Sequence, residues 1–395
     1  MKITDTIRYA GVNDRSIDLF EGMFAVPDGM AYHSYVILDE KNAVIDTVAA
    51  GFTNQWLQQI KAALEGRNVD YLVIQHMEPD HSANIMNFMG CYPDATVVAS
   101  AKAFRMMEQF FGEEFRERRI VVSDGDILSL GKHKLMFFTA EMVHWPEVIM
   151  TYDSTEQIFF SADAFGTFGA LTEEQSGVET WKAEARRYYF GIVGKYGVQV
   201  QKLLQKISGL TIQKICPLHG SILTSKPEEY LKLYQRWSSY QPEAEGVVIA
   251  YTSVYGNTQK AAVLLEQLLR QKGCREIICR DLARCELSYA VSEAFAYDRL
   301  VLATTTYNAD IFPRMREFIS WLKERNYQNR TVALLENGSW SCIAARLMKE
   351  QLERCRGLEF LEPVVTIQSA MSEENITRLE LLAQTLCRKK KEESW

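Results

Sequence analysis

The chain has 395 residues, 47% of them hydrophobic and 24% charged, with a formal net charge of -7. That length exceeds one ordinary core and predicts two or three domains, while the acidic balance excludes a general nucleic-acid binder. The first ten residues lack the apolar core of a signal peptide and no later stretch is long and uncharged enough to span a bilayer, so a cytoplasmic protein without membrane attachment is expected.

Short apolar runs at 34–39, 43–48, 71–75, 95–100 and 120–123 predict strands, and the patterns at 54–64 and 101–111 predict helices between them. Strands mixed with helices in this way suggest an α/β sandwich whose sheets are covered by helices. Residues 177–207 read as mostly helical, with Tyr188 and Tyr189 expected in core or interface. His133, between two lysines, is expected to be exposed. An amphipathic segment at 227–237 is followed by a polar stretch at 238–246, punctuated by Pro242 and Gly246, which reads as a linker. About nine linker residues reach at most ~30 Å. The domains are therefore drawn as 1–245 and 246–395.

Beyond the linker the pattern becomes regular. Strands at 247–251, 276–279, 299–303 and 331–335 alternate with helices at 258–271, 314–324 and 343–355, and a last run at 364–367 precedes a helix at 373–387. That is a five-stranded doubly wound parallel sheet, whose ligands bind at the carboxyl ends of the strands. Eight cysteines are scattered with no C-x-x-C pair. They predict reduced thiols rather than a rubredoxin-type iron site or a disulfide framework.

Seven residues in the first domain are of metal-ligand type, and each lies after an apolar run. His76, Glu78, Asp80 and His81 follow the run at 71–75, His144 follows 135–143, Asp163 follows 157–161 and His219 follows 212–216. Four of the chain's six histidines fall in this series. Four imidazoles and three carboxylates are more than one ion takes, so two metal ions are expected, the carboxylates being able to bridge them. The H-x-E-x-D-H cluster resembles the metallo-β-lactamase-like fold, whose hydrolases usually carry H-x-H-x-D-H. Glu78 replaces a neutral imidazole with an anion, which favours iron over zinc and a centre that changes oxidation state.

The second domain carries a hydroxyl-rich loop, Thr252, Ser253, Val254, Tyr255, Gly256, Asn257 and Thr258, running straight into a helix. Neutral donors at a helix N-terminus, without a Walker lysine, suit the monophosphate of FMN. Thr304, Thr305, Thr306, Tyr307 and Asn308 follow the third strand, and Asn337, Gly338, Ser339 and Trp340 follow the fourth. Tyr307 and Trp340 are placed to pack against a flavin ring. A cofactor-free sheet of the response-regulator kind is the bland alternative.

These two domains together resemble the flavodiiron proteins over nearly the whole chain: a metallo-β-lactamase-like αββα sandwich followed by a flavodoxin-like sheet. The carriers of the resemblance are H-x-E-x-D-H, sixty-two residues, His144, eighteen residues, Asp163 and then His219. The stretch at 163–171 and the region of Tyr196 and Gln199 to Gln201 resemble the family too. The two-domain class is implied, with no rubredoxin or flavin-reductase module. The resemblance further implies that His76, Glu78 and His144 bind one iron, that Asp80, His81 and His219 bind the other, and that Asp163 bridges them. It implies reduction of dioxygen to water, of nitric oxide to nitrous oxide, or both, with rubredoxin or a related reductase system as donor. It also implies a head-to-tail homodimer, or a dimer of such dimers. His33 and Tyr196 resemble family positions near the iron pocket, where a side chain donates a hydrogen bond or proton to substrate. Four electrons reduce dioxygen to two waters, and a diferrous pair with one reduced FMN supplies four.

Two rivals stand beside this reading. A zinc-dependent hydrolase with an accessory flavodoxin-like domain would use the metals to activate water, but it has no use for a flavin. An electron carrier or scaffold with a structural metal site would not need so complete a ligand set.

Overall fold

The computed structural model describes residues 1–171 and 178–388, so Gly177, the first residue of the expected helical stretch, lies outside the described residues. The chain divides into two compact units, Met1–Ser238 and Ser239–Trp395.

The first unit is built on two sheets. One has six strands in the order Ile7–Tyr9, Tyr35–Ile37, Ala43–Ile45, Tyr71–Val73, Thr96–Ala99 and Arg119–Val121. The other has five, in the order Ile127–Ser129, Lys134–Thr139, Ile149–Asp153, Ile158–Phe160 and Lys214–Cys216. Ile37, Ile45, Val73 and Val98 of the first sheet belong to one buried cluster with Leu135, Phe137, Ile149 and Phe160 of the second. Alternate side chains along a strand point to opposite faces, so the pleat sends these residues inward together. The helix Thr53–Leu64 buries Trp56, Ile60 and Leu64, and Ala101–Phe111 buries Ala103, Phe104 and Met107, in each case the stripe that a 3.6-residue period places on one side. Ser100 caps the second of these helices by accepting from the Ala103 N–H at 3.1 Å.

The second unit has the parallel strand order Ile277–Asp281, Ala244–Tyr251, Tyr297–Tyr307 and Thr331–Gly338, with Glu359–Phe360 and Val365–Gln368 both pairing on the last. Four helices of this unit, Asn257–Gln271, Pro313–Glu324, Ala344–Leu352 and Glu373–Cys387, have clear polar faces and are legible in the sequence, whereas a fifth, Leu287–Ala296, is not. Nine of its ten residues are buried, so it carries no amphipathic period to read.

The linker is shorter than its composition suggests. The helix Pro227–Ser238 closes the first unit and the strand Ala244–Tyr251 begins three residues before Val247, taking Ala244 to Gly246 into the sheet. A register shift between Ala244 and Val247 accommodates these polar residues at the strand's start. Among the described residues no helix is long and apolar enough to cross a membrane.

Candidate functional site

The first cluster is held by the carboxylate of buried Asp46. It accepts from the Gln75 N–H at 2.7 Å and the Gln75 side-chain amide at 2.9 Å, fixing the chain as it leaves the strand Tyr71–Val73. Burial raises the Asp46 pKa to about 6, opposed by His81 and by these hydrogen bonds. Glu78 then stands just before a one-turn helix, Pro79–Ser82, that carries Asp80 and His81. His144, Asp163 and His219 arrive on loops beyond three strands of the second sheet, so residues far apart in sequence meet at one edge of the sandwich.

The structure brings all seven expected ligand residues together as two groups. His76, Glu78, His144 and Asp163 offer ligand atoms within 4.8 Å of one another, and so do Asp80, His81 and His219. Asp163 faces both. Its Oδ2 lies 3.1 Å from His144 Nε2 and 3.7 Å from His76 Nε2, while its Oδ1 lies 3.2 Å from His81 Nε2 and 3.7 Å from His219 Nε2. One carboxylate thus presents one oxygen to each group.

The donor set fits cations. His76 Nδ1 is fixed by Glu147 Oε1 at 2.8 Å, and His219 Nδ1 by the Ala31 carbonyl at 2.7 Å, so their Nε2 lone pairs turn inward. His81 and His219 bring their Nε2 atoms to 2.9 Å, a separation that needs a proton or another cation between two lone pairs. Both Asp80 carboxylate oxygens and Asp163 Oδ1 are buried without a hydrogen bond. Burial opposes charge on Asp163 and His76 alike, yet their attraction outweighs it: Asp163 is held well below the usual carboxylate range and His76 well above the usual imidazole range. The pocket recruits positive charge.

Around the ligands stand aromatic rings. Phe20, Tyr32 and Tyr188 approach His219 at 5.4, 5.7 and 5.7 Å between centroids, and Trp145 meets His76 edge-on at 5.3 Å. Tyr188 is fully buried and its hydroxyl has no hydrogen bond. Gly166 makes room for this packing, because a Cβ there would lie 3.4 Å from both the Tyr188 ring and His219 Cβ and 2.9 Å from the Asp163 carbonyl.

Sequence reasoning missed Glu147, while Tyr188 and Tyr189 are buried as expected. Tyr188 ends the helix Val178–Tyr188 where the chain widens into a π turn, Tyr189–Val193. Such turns shift the facing of the side chains that follow away from a 3.6-residue count and are frequent at functional sites. Tyr196 is half-buried with Lys195 Nζ 5.9 Å from its ring centroid. His33 is fully buried; its Nδ1 lies 2.8 Å from the Pro217 carbonyl and 3.1 Å from Tyr35 Oη, while Nε2 has no hydrogen bond. Burial lowers its pKa to about 3, so the ring is neutral. His133 is corrected from exposed to buried: Asp153 lies 2.8 Å from its Nδ1 and Thr6 Oγ1 3.0 Å from its Nε2.

In the second unit a cleft is lined by Ser253 to Tyr255, Asn257, Thr258, Thr305 to Ala309, Asn337 to Ser341 and Ser369. Thr252 and Thr304 lie just below it, buried, with hydroxyls 2.6 Å apart across neighbouring strands. Gly256 turns with φ +87 and Ser253 Oγ accepts its N–H at 3.1 Å, which sets the loop at the N-terminus of the helix Asn257–Gln271. The hydroxyls and helix N–H groups suit a phosphate. Tyr255 and Trp340 are 92% and 94% exposed and Tyr307 45%, leaving broad ring faces at the rim for a planar cofactor. Ala309 and Ser341 close the two expected loops, and Ser369 joins the lining from outside them. Ser369 directly follows the strand Val365–Gln368, so the strand-end rule would have found it.

Comparisons agree with both halves. The ODP family beta lactamase matches residues 30–220 and the flavodoxin family matches residues 249–380. The nitric oxide reductase of Moorella thermoacetica is 29% identical, with 95% of each chain covered. The solved structure of rubredoxin oxygen:oxidoreductase from Desulfovibrio gigas superposes with a TM-score of 0.91 at 27% identity, covering 98% of this chain and 97% of that one. The flavodiiron protein from Giardia intestinalis shares the fold, with a TM-score of 0.91 at 23% identity and coverage of 97% and 95%.

Proposed function

The chain belongs to the flavodiiron proteins, and from that premise we propose that His76, Glu78 and His144 hold one iron, Asp80, His81 and His219 hold the other, and Asp163 bridges them. The protein is an oxidoreductase that reduces dioxygen to water, nitric oxide to nitrous oxide, or both, at a non-haem diiron centre fed by FMN. The single observation that supports the residue assignment is the division of the two Asp163 oxygens between two sets of inward-facing imidazoles.

When bound, the two irons and the flavin supply the electrons and the site at which the gas is reduced. The chain does the rest. Glu147 and the Ala31 carbonyl orient His76 and His219, and the surrounding rings limit water. Tyr188 keeps its proton because burial, then the Asp163 and Glu78 charges, push its hydroxyl well above the usual range. Its unpartnered hydroxyl is therefore a hydrogen-bond donor for substrate, the role that the family resemblance implies for His33 and Tyr196. The neutral His33 ring and Tyr35 both contact the Pro217 carbonyl and steady the loop that leads to His219.

In the flavin cleft, Ser253, Thr258 and the N-terminus of the helix Asn257–Gln271 hold the phosphate, Thr252 and Thr304 brace the loop from beneath, and Tyr307 and Trp340 cover the ring. Rubredoxin or a related reductase system is the donor in this proposal, in keeping with the name of the Desulfovibrio gigas relative. The assembly is a head-to-tail homodimer, or a dimer of such dimers, in which the flavin of one subunit serves the irons of its partner; this rests on the family resemblance.

Metal and flavin analysis of protein made with iron available tests the cofactor assignment. About two irons and one FMN per chain are expected. Zinc in place of iron with no flavin would overturn it.

A further inference from the structure

His133 stands at the end of the first unit away from the metal pocket. The strand Lys134–Thr139 begins directly after it, and the loop to His144 leaves the far end of that strand, six residues or roughly 20 Å on. The ring is buried, with Nδ1 2.8 Å from Asp153 Oδ2 and Nε2 3.0 Å from Thr6 Oγ1, and the Thr6 hydroxyl in turn lies 2.5 Å from Glu156 Oε1. Thr6 immediately precedes the strand Ile7–Tyr9 at the edge of the first sheet, whereas the other three residues lie on or beside strands of the second, so the cluster fastens one sheet to the other.

Proton counting sets the charge of the cluster. Asp153 also accepts the Thr155 and Glu156 N–H groups, at 3.1 and 3.3 Å, so it is a carboxylate and the proton it shares with the ring belongs to Nδ1. A hydroxyl has a single proton to donate. Given to Glu156, that proton leaves Thr6 an acceptor towards the ring, and Nε2 must then carry a proton of its own. The reverse arrangement, a protonated Glu156 beside a neutral ring, uses the same number of protons but puts the extra one on a carboxyl with an ordinary value of ~4.3 rather than on an imidazole of ~6.5. The first arrangement is therefore the stable one.

We propose that His133 is an imidazolium that clasps the N-terminal segment to the second sheet and releases it as the pH rises above neutrality. Loss of the Nε2 proton leaves Thr6 between two acceptors with one proton to give, so either Glu156 or the ring loses its partner inside the fold. The surroundings favour the charged ring. Burial opposes it, but Asp153, then Glu156 and Asp39, outweigh burial and raise the imidazole above its usual value, and Asp39 Oδ2 also accepts the His133 N–H at 2.6 Å. The cations nearby are turned elsewhere: Lys132 and Lys134 are exposed, Lys214 donates to the Ile3 carbonyl, and Arg8 donates to the Thr4 and Asp5 carbonyls, while the Glu40 side chain lies against Gly131. Because the folded value is raised, the clasp stabilises the fold fully below the unfolded value of ~6.5 and is lost as the pH rises through the folded one.

The test uses the cofactor-loaded protein. With isotope-labelled histidine, NMR at pH 7 should show both ring nitrogens of His133 protonated, the signal being assigned by its loss in His133→Gln. Hydrogen exchange read by mass spectrometry, corrected for the intrinsic effect of pH, should show residues 1–9 losing protection between pH 7 and pH 9, by about tenfold for each unit that the folded value exceeds the unfolded one. Glu156→Gln offers Thr6 an amide N–H, so the hydroxyl is free to donate to a neutral ring, and this variant should keep residues 1–9 equally protected at both pH values. A neutral His133 ring at pH 7, equal protection of the wild-type segment at the two pH values, or the same loss in Glu156→Gln would overturn the proposal.

Discussion

The metal pocket and the flavin cleft solve opposite problems of recognition. The pocket gathers seven charged or imidazole groups from segments spread between residues 76 and 219, five of them buried, with one carboxylate facing both halves. The cleft uses neutral hydroxyls, helix N–H groups and exposed rings from short loops, each directly after its own strand. Binding in the pocket is concentrated in a few strong, mutually dependent contacts, whereas in the cleft it is spread over many weak ones. A single substitution should therefore cripple the first and only weaken the second.

Asp163→Asn presses that difference hardest. An amide presents only one acceptor oxygen and no charge, so both metal groups lose their shared anion. Metal affinity should fall by at least about 100-fold, more than the 10–100-fold typical of losing an outer partner, while FMN per chain stays at the wild-type level. Metal analysis and the flavin absorbance of the same sample check both halves. Full iron in this variant would mean that the shared carboxylate does not bridge.

Glu147→Gln should come next, at roughly 10–100-fold in metal affinity, because it loosens the Nδ1 partner of His76 without removing a ligand. Competition with a chelator reads this. An unchanged affinity would show that the orientation of His76 comes from its loop alone.

The paired substitution Ser253→Ala and Thr258→Ala should weaken FMN by roughly tenfold, from about 1 kcal/mol per lost hydrogen bond less partial compensation by water, and leave iron untouched. Thr252→Ala serves as its contrast. It orphans the buried Thr304 hydroxyl and should destabilise the unit by about 1–3 kcal/mol, seen in thermal unfolding more than in flavin titration. If all three positions affect flavin equally, the distinction between donors that touch the phosphate and donors that brace the loop is wrong.

The legibility of the two sites follows the same contrast. Strand-end loops announce themselves because an apolar run stops and ligand-type residues begin, and this rule exposed His76 to His81, His144, Asp163, His219 and most of the flavin loops. It fails where function depends on a contact made across the fold. Glu147 is one acid among 51 acidic residues, and nothing beside it in sequence says that it meets His76. His133 lies between lysines, yet Asp153, twenty residues on, draws its ring inside. Tyr188 was legible as a core residue and is buried, but its approach to His219 is a contact made across the fold. The fold was legible wherever period and burial agreed, and the helix Leu287–Ala296 escaped because it is buried on nearly every side.

Joining the two sites into one electron path is the central claim, and a single-turnover experiment tests it directly. The flavin and metals are fully reduced without oxygen, mixed rapidly with nitric oxide or dioxygen, and the flavin absorbance is followed in wild-type protein and in Asp163→Asn, with nitrous oxide measured in the nitric oxide arm. The account predicts rapid flavin reoxidation with at least one gas in the wild type, and at least about 100-fold slower reoxidation by that gas in the variant at equal flavin content. Equal rates in the two proteins would contradict it, because electrons would then be leaving the flavin without passing through the Asp163 centre.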